Sequence, residues 1–253
     1  MCVLALAWRV HANWPFIVAG NRDEFHGRPA RRLQRWDQPN HVLAGKDLQS
    51  GGTWLGVSEE GRFAVVTNLR GFGPSETGRP SRGVLLRDLL AGEGRYAEPS
   101  DTDLMDFNPF NLILVRPAHA EFWSNKPNPA RRRLPSGVYG LSNGALDESW
   151  PKTVRLKSIL SHWVDAGARH AEYLLDGLRE EGRPRSFDPE VGPSDVPQEP
   201  RLSPIFINNP VYGTRCSTVV AIDDGGRGFI LERRFDENGD RRGETAMPFS
   251  WPR

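Results

Sequence analysis

The sequence predicts an α+β fold, a layered sandwich of mainly antiparallel sheets that are each covered by helices on one face. Short apolar runs occur in the order strands, helix, strands, two helices, strands, and most of the strands fall into pairs joined by short turns. The 26 Gly and 21 Pro residues indicate many turns between short elements. Apolar residues make up 38% of the chain, which is enough for a substantial core.

The N-terminal half contains two predicted hairpins and one helix. The apolar runs 3–9 and 15–20 are separated by polar residues and predict the first hairpin. The run 52–68 predicts the second, because TWLGV and RFAVVTN flank the turn SEEG. Ser81 is a candidate N-cap for a helix over 82–91, where apolar residues recur at helical spacing.

The C-terminal half is predicted to hold further strands and two helices. One helix is expected over 148–164, with Pro151 near its start, and the second over 168–180. We expect a single domain over 1–253, since residues 182–204 are rich in Pro, Gly and Asp without periodicity and indicate a long surface loop. The predicted strands are 111–117, 120–125, 137–143, 216–223, 228–235 and 244–249.

Charge and composition exclude several classes of function. The 33 basic and 32 acidic residues give a formal net charge of +1, so no general attraction to nucleic acid is expected. No run approaches the roughly 20 apolar residues that span a bilayer, and the apolar opening lacks the basic region of a signal peptide. The two cysteines form neither a disulfide framework nor a metal-binding spacing. We therefore expect a cytoplasmic protein with no integral membrane segment, no nucleic-acid partner and no bound metal.

Cys2 is the first candidate catalytic residue. Removal of Met1 would leave a thiol and a free α-amine on one residue, and an amine with a pKa near 8 can accept the thiol proton. Nucleophile and base would then share a residue, which is the basis of N-terminal nucleophile catalysis. A small residue at position 2 is common, however, and Cys2 taken alone is better explained as a small packed hydrophobe.

The NRDEF segment gives Cys2 possible partners. If the first hairpin turns near residues 11–14, Arg22 and Asp23 return to the beginning of the chain, close to Cys2. There the guanidinium would stabilise a thiolate and the carboxylate would hold the ammonium group. A solvated ion pair at a strand end is the alternative, and spacing alone does not separate the two.

Several motifs in fixed order resemble the NRDE protein family, which includes the transport and Golgi organisation protein of animals. They are MCVLAL, AGNRDEF, GGTWLGVSEEGRFAVVTN, YGLSN and YGTRCST, and the resemblance covers the chain apart from 182–204. The family is similar in layout to cysteine hydrolases of the N-terminal nucleophile class, which act on carbon–nitrogen bonds. The resemblance therefore implies a four-layer αββα sandwich of the N-terminal nucleophile hydrolase kind.

Carried over to this chain, the resemblance makes Cys2 the nucleophile and adds further candidates. It implies that Asn68 and Asn143 donate hydrogen bonds to an oxyanion or to the substrate, and that Arg215 lies near the nucleophile, supported by Thr214. Plain turn or strand-end residues are the alternative for these positions. The adjacent Arg and Asp depart from the hydrolase pattern, in which a few residues separate them. Further candidates for substrate binding are Asn21, Trp54 and Thr67.

Two functions compete on this basis. The first is a cysteine amidohydrolase that attacks a small-molecule amide through Cys2 and needs no cofactor. The second is a carrier that binds or traffics a hydrophobic ligand such as haem, acyl-CoA or another lipid without turnover, because the animal members are associated with haem and lipid handling. No C-x-x-C-H haem-attachment motif is present. A purely structural domain would leave the matching polar residues unexplained.

Overall fold

Two antiparallel sheets form the framework of the computed structural model, which describes residues 2–182 and 203–252. The strands are β1 (Cys2–Trp8), β2 (Phe16–Phe25), β3 (Ala30–Arg35), β4 (Val42–Asp47), β5 (Leu55–Ser58), β6 (Arg62–Asn68), β7 (Phe110–Arg116), β8 (His119–Ser124), β9 (Ala130–Leu134), β10 (Gly137–Leu141), β11 (Tyr212–Ile222), β12 (Arg227–Phe235) and β13 (Arg241–Ser250). The helices are α1 (Arg82–Ala91), α2 (Asp101–Met105), α3 (Pro151–Asp165) and α4 (Glu172–Gly177).

The order of strands places β1 and β2, which form the N-terminal hairpin, inside one sheet rather than at its edge. The six-stranded sheet has the order β10-β1-β2-β11-β12-β13, and the seven-stranded sheet has the order β3-β4-β5-β6-β7-β8-β9. The second sheet follows the chain from hairpin to hairpin, whereas the first gathers strands from both ends of the chain. As a result, the N-terminal hairpin is paired on both sides, with β10 and with β11.

Three apolar layers hold the sandwich together, and the predicted αββα arrangement is confirmed. Leu6 and Phe16 of one sheet and Val65 and Ile113 of the other belong to a core between the sheets. The outer face of the six-stranded sheet packs against α3 and α4, and that of the seven-stranded sheet packs against α1 and α2. Alternate residues of each buried strand therefore face a helix or the opposite sheet, as period-two geometry requires.

The predicted helix over 82–91 is confirmed as α1, and its ends have identifiable causes. The Ser81 side chain accepts a hydrogen bond from the backbone N–H of Gly83, which satisfies one donor of the first turn. Gly92 ends the helix in the left-handed conformation, with φ 71°. The backbone N–H of Thr53, just before β5, donates to the carbonyl of Gly83 at 3.1 Å, which holds the first turn of α1 against the sheet.

Several elements differ from the sequence prediction. Strands β3 and β9 were not predicted because ARRLQR and ARRRL carry little apolar signal, and both are edge strands with exposed charges. The short strand β4 and the five-residue helix α2 also escaped prediction. Helix α4 is shorter than the predicted 168–180, since Gly167, Ala168 and His170 have positive φ values.

The predicted long loop over 182–204 falls almost entirely outside the described residues. In the part of the chain that is described, no helix is long and apolar enough to cross a membrane.

Candidate functional site

Cys2 and Arg22 are direct partners across the N-terminal hairpin. The β1–β2 register pairs Cys2 with Arg22, and both residues are buried. Residues opposite one another in an antiparallel ladder point to the same face of the sheet. Thiol and guanidinium therefore meet on the face toward the second sheet, where both line a cavity of about 500 Å³.

Asp23 also lines this cavity and is held in place by three groups. Its backbone forms a hydrogen bond with the Cys2 sulfur. Its carboxylate accepts a hydrogen bond from the Thr214 hydroxyl at 2.6 Å, and its carbonyl oxygen accepts one from the Tyr212 hydroxyl at 2.9 Å. The expectation that Thr214 supports Arg215 is therefore corrected, because the hydroxyl of Thr214 binds Asp23.

Burial dominates the electrostatics of the nucleophile. Burial raises the pKa of the Cys2 thiol from 9.0 to about 11. The positive charge of the N-terminal amino group opposes this rise in pKa and the negative charge of Asp23 contributes to it, while the positive charge of Arg22 and the hydrogen bond from the Asp23 backbone also oppose it. With Met1 in place, Cys2 is thus a neutral thiol at physiological pH.

Arg22 is oriented by a carboxylate that the sequence reasoning did not identify. Asp47, at the end of β4, accepts a hydrogen bond from Arg22 Nη2 at 3.2 Å and another from Arg28 Nε at 2.6 Å. The backbone N–H of Ser50 donates to its other oxygen. Burial opposes ionisation, but these donors lower the pKa of Asp47, so the carboxylate stays charged. Asp47 was missed because β4 was not predicted as a strand.

Cys216 is a second thiol on the same face and was also missed. The β2–β11 register pairs Cys216 with Arg22, so the guanidinium lies between the two cysteines. Burial raises the pKa of Cys216 well above its ordinary value, and the charge of Glu232 raises it further. Cys2 and Cys216 are two strand spacings apart, about 10 Å, which is too far for a disulfide bond.

Arg215 occupies an irregularity in β11 and lines the cavity. The β2–β11 register shifts between Thr214 and Cys216, which leaves Arg215 without a register partner. Its Nη1 donates to the carbonyl oxygens of Phe25 and His26 at 3.0 and 2.8 Å. Burial and the nearby charge of Arg22 lower the pKa of Arg215.

The two predicted amides play different structural parts. Asn68 lines the cavity. Asn143 is fully buried, and its Nδ2 donates to the backbone carbonyl of Asn68 at 2.9 Å. The adjacent Ser142 donates to the carbonyl oxygen of Cys2 at 2.9 Å and to the Asn143 side chain at 3.3 Å. The end of β10 thus fixes the positions of Cys2 and Asn68 relative to each other.

We expect Asn143→Ala to lower the free energy of unfolding by about 2 kcal/mol, because it removes a buried amide that donates to the backbone carbonyl of Asn68. Urea denaturation measures this loss. Asn238→Ala is the control, since Asn238 is exposed and the change there should be within about 0.5 kcal/mol. Equal stabilities of the two variants would contradict the role of Asn143.

Of the three predicted substrate-binding residues, one lines the cavity and two do not. Trp54 lines the cavity. Thr67 is buried within β6, and among the described residues its hydroxyl has no hydrogen-bond partner. Asn21 faces the helical layer, where its amide donates to the carbonyls of Leu178 and Ile205 and its oxygen accepts from Ser217. Asn21 is therefore a packing residue of the outer layer and is not brought to the cavity with Cys2.

The cavity lining is strongly basic although the whole chain is nearly neutral. Four acidic residues line it, namely Asp23, Glu24, Asp47 and Glu232. Nine basic residues line it, namely Arg22, Arg28, Arg31, Arg32, Lys46, Arg82, Arg215, Arg234 and Arg242. Within residues 2–182 and 203–252, no group of three or more His, Cys, Asp or Glu side chains is arranged to hold a metal ion. The basic lining is suited to an anionic ligand.

Comparison with known proteins identifies the family of this chain. The family model for Transport and Golgi organisation 2 matches residues 1–237. The chain belongs to this family. The Transport and Golgi organization protein 2 homolog of Bos taurus is 31% identical to it over 251 residues, covering 91% of this chain and 90% of the relative. The Homo sapiens homolog is 30% identical over 237 residues, covering 86% and 85%. The family resemblance stated from the motifs is confirmed.

Solved structures relate the Transport and Golgi organisation 2 fold of this chain to hydrolases. A conjugated bile acid hydrolase from Clostridium perfringens has a TM-score of 0.52 and 10% identity, covering 98% of this chain and 92% of that one. A penicillin V acylase from Agrobacterium tumefaciens has a TM-score of 0.51 and 12% identity, covering 92% and 83%. At these identities the likeness establishes the fold alone.

Proposed function

We propose that this member of the family is an N-terminal cysteine amidohydrolase that becomes active when Met1 is removed. One observation carries the proposal. Cys2 begins a central strand, lines the cavity and faces Arg22 across the hairpin, with Asp23 hydrogen-bonded to its sulfur through the backbone. A nucleophile in such a cavity, beside a cation and a carboxylate, has the components that N-terminal nucleophile chemistry needs.

The proposed reaction proceeds through a thioester. The free α-amine of Cys2 takes the thiol proton, and the thiolate attacks the amide carbon to form a carbon–sulfur bond. The carbon–nitrogen bond then breaks, and the leaving amine takes the proton from the α-ammonium group. Water, deprotonated by the α-amine, next attacks the thioester carbon, which releases the carboxylic acid and returns the proton to the sulfur.

Neighbouring residues have defined parts in this reaction. Arg22, held by Asp47, offers positive charge to the thiolate, and Asp23 offers negative charge to the α-ammonium group. Asn68 lines the cavity, and in this scheme its amide donates to the oxyanion. Asn143 is a positioning residue in this scheme, since its amide holds the backbone of Asn68.

The related structures support this choice of reaction class. Two solved proteins that share the fold are a penicillin V acylase and a conjugated bile acid hydrolase. Their low identity transfers no residue role, so the proposal depends on the geometry around Cys2.

A non-catalytic carrier of haem, acyl-CoA or another lipid is the second candidate. It is favoured by the raised pKa of Cys2, because a buried neutral thiol is a poor nucleophile as long as Met1 is present. Relatives of this chain are named for transport rather than for a reaction.

Intact-protein mass spectrometry before and after brief treatment with iodoacetamide tests the proposal. We expect the isolated protein to lack Met1 and to take up one label at Cys2, because the free amine and Arg22 favour the thiolate. Cys2→Ala should abolish this label, whereas Cys216→Ala should keep it. A panel of small amides, assayed for release of the free amine, then tests turnover, which Cys2→Ala should remove.

Retention of Met1 without selective labelling of Cys2 would contradict the proposal. If Met1 is retained and Cys2 is labelled no faster than Cys216, the catalytic mechanism is wrong. Binding of haem and of acyl-CoA to the unmodified protein, followed by absorbance and by calorimetry, then decides for or against the carrier.

A further inference from the structure

The cavity continues from Cys2 along one face of the six-stranded sheet toward a basic region at β12. Register pairs Cys2 with Arg22, Arg22 with Cys216, and Cys216 with Arg234, so these four residues form one row across β1, β2, β11 and β12. Residues paired in this way share a face of the sheet. Thiols and guanidinium groups therefore alternate along the cavity, and Arg234 lies three strand spacings, about 14 Å, from Cys2.

Strand β3 of the second sheet lies beside this far end. The backbone N–H of Leu33 donates to the Glu232 carboxylate at 2.8 Å, which joins β3 to β12. The two residues before Leu33 are Arg31 and Arg32, and both line the cavity. We call Arg31, Arg32 and Arg234 the cationic rim.

The charges of the rim are poorly balanced by the protein itself. Among the described residues, Arg31 and Arg32 have no carboxylate within ion-pair distance, and Arg31 lies opposite Lys46 in the β3–β4 ladder. Like charges opposite each other destabilise a sheet. The nearest carboxylate oxygen of Glu232 is 3.9 Å from Arg234 Nε, and burial raises the pKa of Glu232.

The carboxylates nearer Cys2 do not offset this excess. Asp47 and Glu24 each form ion pairs with both Arg22 and Arg28. The buried Nε atoms of Arg215 and Arg234 have no hydrogen-bond acceptor within the described chain. Partly desolvated cations with open donors provide strong hydrogen bonds to carboxylate or phosphate oxygens. The cavity thus offers charge and donors that a ligand with the opposite charge would satisfy.

We propose that the substrate of Cys2 is an amide that carries an anionic oxygen group, a carboxylate or a phosphate, and that the cationic rim binds this group. The inference rests on the proposed function, because it takes Cys2 as the reacting group. The row from Cys2 to Arg234 orients the substrate, with the amide at the thiol and the anion toward β3 and β12.

Two alkylating agents of similar size test the charge of the cavity directly. Iodoacetate and iodoacetamide both form a carbon–sulfur bond with the thiolate and release iodide, but only iodoacetate is anionic. We expect the ratio of their rates at Cys2, iodoacetate over iodoacetamide, to fall about 5-fold in Arg31→Gln/Arg32→Gln, since two positive charges of the cavity lining are removed. The rates are measured by mass spectrometry in the Cys216→Ala background.

A matched control distinguishes local from general charge. Arg132→Gln/Arg133→Gln removes the same charge from β9, the opposite edge strand of the same sheet, where both residues are exposed. This control should leave the ratio unchanged, and the difference between the two double variants should shrink in 0.5 M salt, as screening requires (~4 Å Debye length). The same ratio in both double variants would overturn the proposal.

Calorimetry with the Cys2→Ala protein separates this inference from the proposed function, because it needs no reactive thiol. N-Hexanoylglycine carries a carboxylate, hexyl phosphate carries a phosphate, and N-hexanoylglycinamide is neutral. We expect at least one anionic probe to bind about 10-fold more tightly than the neutral probe, and Arg31→Gln/Arg32→Gln to remove this preference. The preferred anion identifies the group. Equal binding of all three probes contradicts the cationic rim even if Cys2 is a nucleophile, whereas an inert Cys2 with anion preference contradicts only the amidohydrolase.

Discussion

Gly52→Ala is expected to lower the free energy of unfolding by about 3 kcal/mol or more, because the backbone at Gly52 lies in direct contact with the backbone of helix α1. A Cβ atom on Gly52 would lie 2.1 Å from the carbonyl carbon of Gly83 and 2.6 Å from the backbone nitrogen of Val84. Those atoms belong to the first turn of α1 and cannot rotate away. Thr53, the next residue, donates its backbone N–H to the Gly83 carbonyl at 3.1 Å, so the displacement would also break this bond.

Urea denaturation of Gly52→Ala and Gly27→Ala measures the effect. Gly27 has no heavy atom within 4 Å of the position of an added Cβ, and a change within about 0.5 kcal/mol is expected there. Equal stabilities would show that α1 can move away from the sheet at little cost. Because Trp54 and Ser81 line the cavity on either side of this contact, a folded Gly52→Ala protein should also have an altered cavity wall.

The pairing of Cys2 with Arg22 was predictable from local sequence patterns. Two apolar runs with a polar connection give a hairpin, and the length of that connection determines which residue returns to Cys2. The observed register pairs Cys2 with Arg22, one of the two predicted partners, and Asp23 is the next residue. Similar local signals predicted α1, where Ser81 caps the first turn. Short-range patterns were sufficient wherever the partners are neighbours in sequence.

Residues supplied by distant strands were not predictable in the same way. Asp47 reaches Arg22 from the other sheet, and Cys216 reaches it from the C-terminal part of the chain. No periodicity relates residue 22 to 47 or to 216, because the pairing of β2 with β11 is set by the packing of the whole sheet. Edge strand β3 was not predicted for a further reason, since Arg31 and Arg32 line the cavity and leave the strand little apolar pattern.

The second large effect concerns the ionisation of Cys2. A pKa raised from 9.0 to about 11 lowers the thiolate fraction at neutral pH about 100-fold relative to an unperturbed thiol. In Cys216→Ala protein that keeps Met1, the rate of alkylation by iodoacetamide should therefore rise tenfold per pH unit up to about pH 11. Folding raises this pKa, so the buried neutral thiol contributes to the free energy of unfolding. This contribution is fully present below pH 9 and is lost as the pH rises toward 11.

Removal of Met1 by methionine aminopeptidase in vitro should move this profile to lower pH, because the new α-ammonium group stands next to the thiol and favours the thiolate. Two charge variants give a test of sign in the protein that keeps Met1. Arg22→Gln removes a charge that lowers the pKa and should slow alkylation at pH 8, whereas Asp23→Asn removes one that raises it and should accelerate alkylation. Shifts of the same sign in both variants would mean that the charges of Arg22 and Asp23 do not govern the pKa of the thiol, and both residues would then lose their assigned parts in activating Cys2.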